Sequence, residues 1–205
     1  MVFFHYRGAW GSEGNYSVLQ VAGDALTVLN FLRQPENTQR YRVDADKLTV
    51  LGHSLGGFAS LSAGHQDNAL VCVGAISPAN FALFGAGIEA GEPWVEGFLA
   101  YVDGLFMLQG FKGENMRKQL TTPPVEALDI RKFGPGLRGK SVFLIVGEQD
   151  RVTNPEIMFD PVVAAYSLEK EIRLQHHKIS GDHSFSWSRV KLTDMIVSWL
   201  NKDCR

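Results

Sequence analysis

Short apolar runs alternate with helical spacings along the chain. Leu48–Leu51, Leu70–Ile76 and Ser141–Val146 are continuous apolar stretches, the first and third closed by Gly52 and Gly147. Runs of this length suit strands buried on both faces. Ile172–Ile179 alternates more evenly and ends at Gly181, and Val2–Tyr6 is a fifth, apolar-aromatic run. Helical spacings fill the intervals. Ser17 is a plausible N-cap, apolar residues recur at Val18, Ala22, Ala25, Leu26, Leu29 and Leu32, and Pro35 stops that helix. Leu55 opens a second helix that ends near Gly64. Asn154 caps and Pro155 opens a third, running to about Lys170, and a last one runs from about Trp187 to Lys202. This alternation predicts an α/β fold, a mostly parallel sheet of about five strands with flanking helices.

One segment breaks the rhythm. No strand pattern occurs between Pro78 and Pro135, whereas Pro93 opens a helix with apolar positions at Trp94, Val95, Phe98, Leu99, Val102, Leu105 and Phe106. The whole chain, 1–205, reads as a single domain, with residues 79–135 as a helical insertion within it. Two readings of its aromatics stand side by side: a lid over a site, or side chains that pack the insertion onto the sheet.

The charge balance narrows the partners. Lys plus Arg is 20 and Asp plus Glu is 22, a net charge of −2. That carries no basic excess for nucleic acid or an anionic membrane surface. No apolar run reaches the roughly 18 residues of a membrane span. Of the two cysteines, Cys72 reads as a small buried hydrophobe and Cys204 as a frayed terminal residue. They are too few for a disulfide framework and have no metal-site spacing. The reading is therefore of a reducing compartment. The start of the chain has no charged n-region, no long apolar h-region and no cleavage site. The expectation is a cytoplasmic protein, unless an upstream segment carries a signal.

Gly52-His53-Ser54-Leu55-Gly56 fits G-x-S-x-G where a predicted strand meets a predicted helix. The turn holds the serine in an unfavourable backbone conformation, and only glycine avoids a clash two residues to either side. The helix amino terminus then aims its dipole and free N–H groups at the site of reaction. A serine hydroxyl needs a base. His5 and His53 lie near strand ends, His65 beyond a helix end, and His176 and His177 within a strand. His183 follows the last strand, in a loop that converges on the same sheet edge as Ser54. An acid must orient that imidazole. Asp150 lies at the carboxyl end of Ser141–Val146 and is favoured over its rivals Glu148 and Asp182.

The order Ser54, Asp150, His183 and its placement at strand ends resemble the α/β-hydrolase superfamily. The loop His5-Tyr6-Arg7-Gly8-Ala9-Trp10-Gly11-Ser12-Glu13-Gly14 is similar to the glycine-rich loop of that superfamily's bacterial serine-hydrolase and peptidase-like branch. The resemblance implies eight strands, with Val2–Tyr6 as the fourth and the first three lacking, so that the fold is amino-terminally incomplete. It also implies an oxyanion hole. Leu55 N–H supplies one donor, while the usual second donor lies on a missing loop, leaving Tyr6 or Arg7 as a substitute. The function it implies is a serine hydrolase cleaving a small-molecule ester or amide through an acyl-enzyme, with no cofactor or metal. The alternatives are a non-catalytic or weakly active hydrolase-like fragment needing a partner, and an acyltransferase using the same triad. An exposed amino-terminal strand would further allow a homo-oligomer by edge pairing.

Overall fold

The computed structural model describes residues 1–122 and 124–204. Four strands form one parallel sheet: β1 (Thr49–His53), β2 (Cys72–Ile76), β3 (Ser141–Gly147) and β4 (Arg173–Ile179). They lie side by side in chain order, with Thr49 beside Cys72, Cys72 beside Ser141 and Ser141 beside Arg173. The two central strands are buried along their whole length. This is why they read as unbroken apolar runs, whereas the edge strand β4 alternates.

The expected fifth strand is not formed. Val2 and Phe3 are exposed, and no residue from 1 to 6 is in a strand. An apolar run becomes a strand only when a neighbour takes up its backbone N–H and C=O groups. No strand stands beyond β1 among the described residues. Val2–Tyr6 therefore stays apart from the sheet, and its aromatics meet each other: Phe4 and Tyr6 pack edge to face with centroids 5.2 Å apart.

Helices cover the sheet unequally. One face packs α1 (Val21–Arg33), α3 (Leu55–Gln66) and α7 (Asp160–Ser167) through Val21, Phe58, Leu61, Val73, Val142 and Val162. The other carries α8 (Arg189–Asp203), whose Trp199 stacks on Phe143 at 5.2 Å. Pro35 ends α1 as expected, but also opens the short α2 (Pro35–Tyr41) from its first position. Ser17 does not cap α1. Its hydroxyl donates to Gln119 Oε1 instead, and the helix begins at Val21. Asn154 does cap, accepting from Glu156 N and Ile157 N, although the next turn is π-helical and α7 starts at Asp160.

The insertion is helical, with α4 (Phe81–Ala90), α5 (Val95–Asp103) and α6 (Gly113–Thr121). Phe81, Phe84, Val95, Leu99 and Phe111 join the same core as Phe58 of α3. The packing reading thus accounts for its buried aromatics. Its base is tied by Asn80 Nδ2, which donates to Asp129 Oδ1 at 3.0 Å. The loop between α5 and α6 pairs with the amino-terminal glycine-rich loop. Ala9 bridges Leu108, Trp10 N donates to Met107 O, and Gln109 N donates to Gly8 O.

The two cysteines correct the reading made from the sequence. Cys72, at the start of β2, is bonded to Cys204, just past α8. Only the folded path of α8, back across the sheet, brings these distant residues together. The bond also removes the cysteine argument for a reducing compartment. It closes a loop of 132 residues. By the chain-entropy account such a loop is worth roughly 5 kcal/mol. Cys204→Ser should therefore lower the thermal midpoint by about 10–20 °C. An unchanged midpoint, read by circular dichroism with and without dithiothreitol, would mean that the thiols are not joined in solution. No helix among the described residues is long and apolar enough to cross a membrane.

Candidate active site

The carboxyl edge of the sheet gathers three loops. The first is the turn from β1 into α3. A Cβ on Gly52 would collide with the Gly56 carbonyl, so the turn closes only with glycine there. Ser54 sits between them at φ 57°, ψ −117°, a strained conformation for a residue with a side chain. Its backbone is held from three directions: Ser54 N donates to Ile76 O at 2.8 Å, and Ser54 O accepts from Phe58 N and Ala79 N. The first residue of α3 is Leu55, so the helix dipole and its free amides open at Ser54.

The second and third loops follow β3 and β4 and are sewn to each other. Gln149 N donates to Gly181 O at 3.0 Å, and Gly181 N donates to Gln149 Oε1 at 2.8 Å. Gly147 permits this approach, since a Cβ there would collide with the Gly181 carbonyl. The result is a short contact between Asp150 Oδ2 and His183 Nδ1, 2.8 Å. Asp150 is buried and also accepts from Val152 N, Thr153 N and Thr153 Oγ1, the last at 2.7 Å. Burial pushes its pKa up. The hydrogen bonds from His183 and Thr153 outweigh that and hold the carboxyl well below the ordinary carboxylate range. An ionised Asp150 fixes the proton on His183 Nδ1 and leaves Nε2 as the unprotonated ring nitrogen.

The rival acids are placed otherwise. Glu148 is exposed. Asp182 turns back on its own loop, accepting from Ser184 N, Ser186 N and Ser186 Oγ. Of the remaining histidines, His65 stacks on Phe133 with centroids 5.0 Å apart, and His177 lies against Phe143. His53 is the exception: its Nε2 lies 2.7 Å from the carbonyl oxygen of His183. Among the described residues no hydrogen bond joins Ser54 Oγ to His183, whose ring nitrogen Nδ1 is turned to Asp150.

The glycine-rich loop brings Tyr6 to this edge. A Cβ built on Gly56 would lie 3.9 Å from Tyr6 Oη, so the phenol reaches the first turn of α3. Burial, and then the negative charge of Asp24, push the Tyr6 pKa up to about 12. The hydroxyl is therefore a neutral donor over the whole working range. Arg7 is engaged elsewhere. Its backbone N and Nε and one terminal nitrogen all donate to Asp24, the last at 2.6 Å. This clamp ties the glycine-rich loop to α1 and leaves Tyr6, not Arg7, free to face the elbow.

Sequence reasoning missed Asp24, Thr153 and His53. Asp24 had a signal, a carboxylate on the apolar stripe of Val21, Ala22 and Ala25. Thr153 also had one, the three-residue spacing from Asp150 over which a hydroxyl and an amide both reach back to a carboxylate.

No protein-family model matches the chain, and no curated protein matches its sequence. Solved structures do match. The chain is similar to a puromycin-hydrolyzing peptidase of Mycobacterium tuberculosis, with a TM-score of 0.63 and 15% identity over 97% of this chain and 26% of that one. It is similar to Est1E from Butyrivibrio proteoclasticus, with a TM-score of 0.60 and 17% identity over 92% of this chain and 71% of that one. The Pyrococcus furiosus esterase Pf2001 gives 0.62 and 12% identity over 95% of this chain and 67% of that one. The chain thus has an α/β-hydrolase-type fold, and it spans about a quarter of the length of the mycobacterial peptidase.

Proposed function

We propose that this chain is a serine hydrolase cleaving an ester or amide of a small molecule through an acyl-enzyme. The observation that carries the reading is the convergence of a strained Ser54 and an Asp150–His183 pair on one sheet edge. The fold adds to it, since the solved structures it resembles include one named as a peptidase and one named as an esterase.

In the mechanism, His183 Nε2 takes the Ser54 proton as Oγ attacks the acyl carbonyl. Asp150 holds the imidazole in the correct tautomer and stabilises its cation. Leu55 N–H and the Tyr6 hydroxyl donate to the oxyanion. The imidazolium gives that proton to the departing alcohol or amine as the intermediate collapses to the acyl-enzyme, and water, activated by the same histidine, then releases the acyl group as the acid. The 79–135 insertion serves as the lid that bounds the acyl side. The test is labelling with a fluorophosphonate, followed by mass spectrometry of the peptide that carries Ser54. Phosphonylation of Ser54 supports the reading, and an unlabelled chain overturns it.

Tyr6 gives a separate expectation. Tyr6→Phe should lower turnover of p-nitrophenyl acetate by about 10²–10³ with little change in KM, because the donor acts on charge formed in the transition state. The wild-type rate should also hold through pH 10, since the hydroxyl keeps its proton until about pH 12. A fall centred on pH 10 that Tyr6→Phe lacks would mean that the phenol ionises in its ordinary range, and a Tyr6→Phe rate equal to wild type would remove Tyr6 from this role.

The hydrolase-like-fragment reading has one observation in its favour: β1 has an open edge, and Leu51 on it is 38% exposed. Pairing of two copies along that edge would make the protein a dimer in solution, which analytical ultracentrifugation decides.

A further inference from the structure

We propose that His53, the residue before the nucleophile, is a positioning residue that holds the main chain of His183 in place; this rests on the serine hydrolase reading above. A carbonyl oxygen only accepts, so the 2.7 Å contact requires that His53 Nε2 carry a hydrogen and donate it to His183 O. His53 is the last residue of β1, in register with Ile76 of β2. One strand end therefore presents Ser54 and, one residue earlier, grips the histidine loop. From its other side that loop is fixed to the β3 end, through Asp150 Oδ2 and the two Gln149–Gly181 bonds. Among the described residues, the His53 bond is the one hydrogen bond that joins the serine's strand to the histidine's loop. It spans the two halves of the triad, where Ser54 Oγ itself makes no bond to His183.

The same contact sets a condition on charge. The His53 and His183 rings lie 4.7 Å apart, tilted by 49°. The charged groups that face His53 are His183 and Asp150. Burial lowers the His53 pKa below the ordinary imidazole value, and a positive charge on His183 lowers it further. The bond to the His183 carbonyl and the charge of Asp150 oppose this only in part. His53 is thus neutral when the enzyme works and keeps its donor. In acid it becomes a cation beside the ring that must itself turn positive as Ser54 attacks, and the two like charges oppose the step.

Two variants of the full chain separate these effects. His53→Leu removes the donor but keeps bulk. His53→Gln keeps an N–H at a similar reach and cannot be charged. For His53→Leu the rate of fluorophosphonate labelling at Ser54 and the kcat for p-nitrophenyl acetate should fall about ten- to a hundredfold, with KM within about twofold, as expected for a base displaced by a fraction of an ångström. For His53→Gln kcat at pH 8 should return to within about twofold of wild type, since amide and imidazole donors are equivalent here. Between pH 7 and pH 5 that variant should lose less of its kcat/KM than the wild type does, because a glutamine cannot gain the charge that His53 gains in acid. A side chain of purely structural importance would not move the acid limb. If His53→Leu fails to fold, as judged by circular dichroism, the pH profile of His53→Gln carries the test alone. Labelling and kcat for a folded His53→Leu equal to wild type would overturn the positioning role while leaving the hydrolase reading intact. A wild-type acid limb superimposable on that of His53→Gln would overturn it as well. An unreactive wild-type Ser54 would overturn the hydrolase reading first, and the positioning role with it.

Discussion

Ser54→Ala and His183→Ala should each remove nearly all turnover of a short acyl ester, a loss on the order of 10⁶-fold, and the double variant should be little worse than either. The non-additivity is the informative part. The hydroxyl is a poor nucleophile without its base, and the imidazole has no proton to take without the hydroxyl, so whichever is removed first removes the step. What remains comes from the oxyanion donors and binding, worth about 10³–10⁴ over water. Initial rates with p-nitrophenyl acetate for the two single variants and the double settle it. Two large losses that multiply would mean that Ser54 and His183 serve different steps.

Asp150→Asn should cost about 10⁴-fold in kcat with the fold intact. The asparagine amide can donate to His183 Nδ1 and so favours the tautomer with its proton on Nε2, where the base should be. The wild-type carboxylate receives four hydrogen bonds in a buried site, which no neighbouring acid can reproduce. Glu148 is exposed and Asp182 is spent on its own turn, so neither stands in. A pH consequence accompanies this. The folded Asp150 pKa lies below its unfolded value, so the stability it contributes is present above the ordinary carboxylate pKa and is lost as pH falls through the depressed one. Asp150→Asn should therefore flatten the acid limb of the unfolding curve, measured by fluorescence below pH 4. Near wild-type turnover would remove Asp150 from the triad.

Much of this site was legible because each part sits where a local pattern changes. G-x-S-x-G falls at a switch from apolar run to helical spacing, and Asp150 and His183 each follow a run that ends in glycine. The four strands that formed are the four runs that pair with one another in a single sheet. Val2–Tyr6 has the composition of a strand, but composition cannot supply a neighbour to pair with. The disulfide, the Ala9–Leu108 bridge and the Arg7–Asp24 clamp were illegible for a related reason: each joins residues whose meeting depends on how helices cross the sheet. His53 was hidden in another way. It occupies the variable position of its motif, and nothing in one dimension says that this side chain leans towards a loop 130 residues on.

The path of α8 has a practical corollary for handling the protein. The helix leaves the loop that bears His183 and, over 15 residues or roughly 22 Å, carries the chain to the opposite rim of the sheet. There Cys204 is anchored to the start of β2. The end of α8 is thereby moored on the side away from the rim that carries Ser54. A sensor chip or resin coupled at the exposed Lys202, in the last turn of α8, should hold the molecule with Ser54 turned towards the bulk solution.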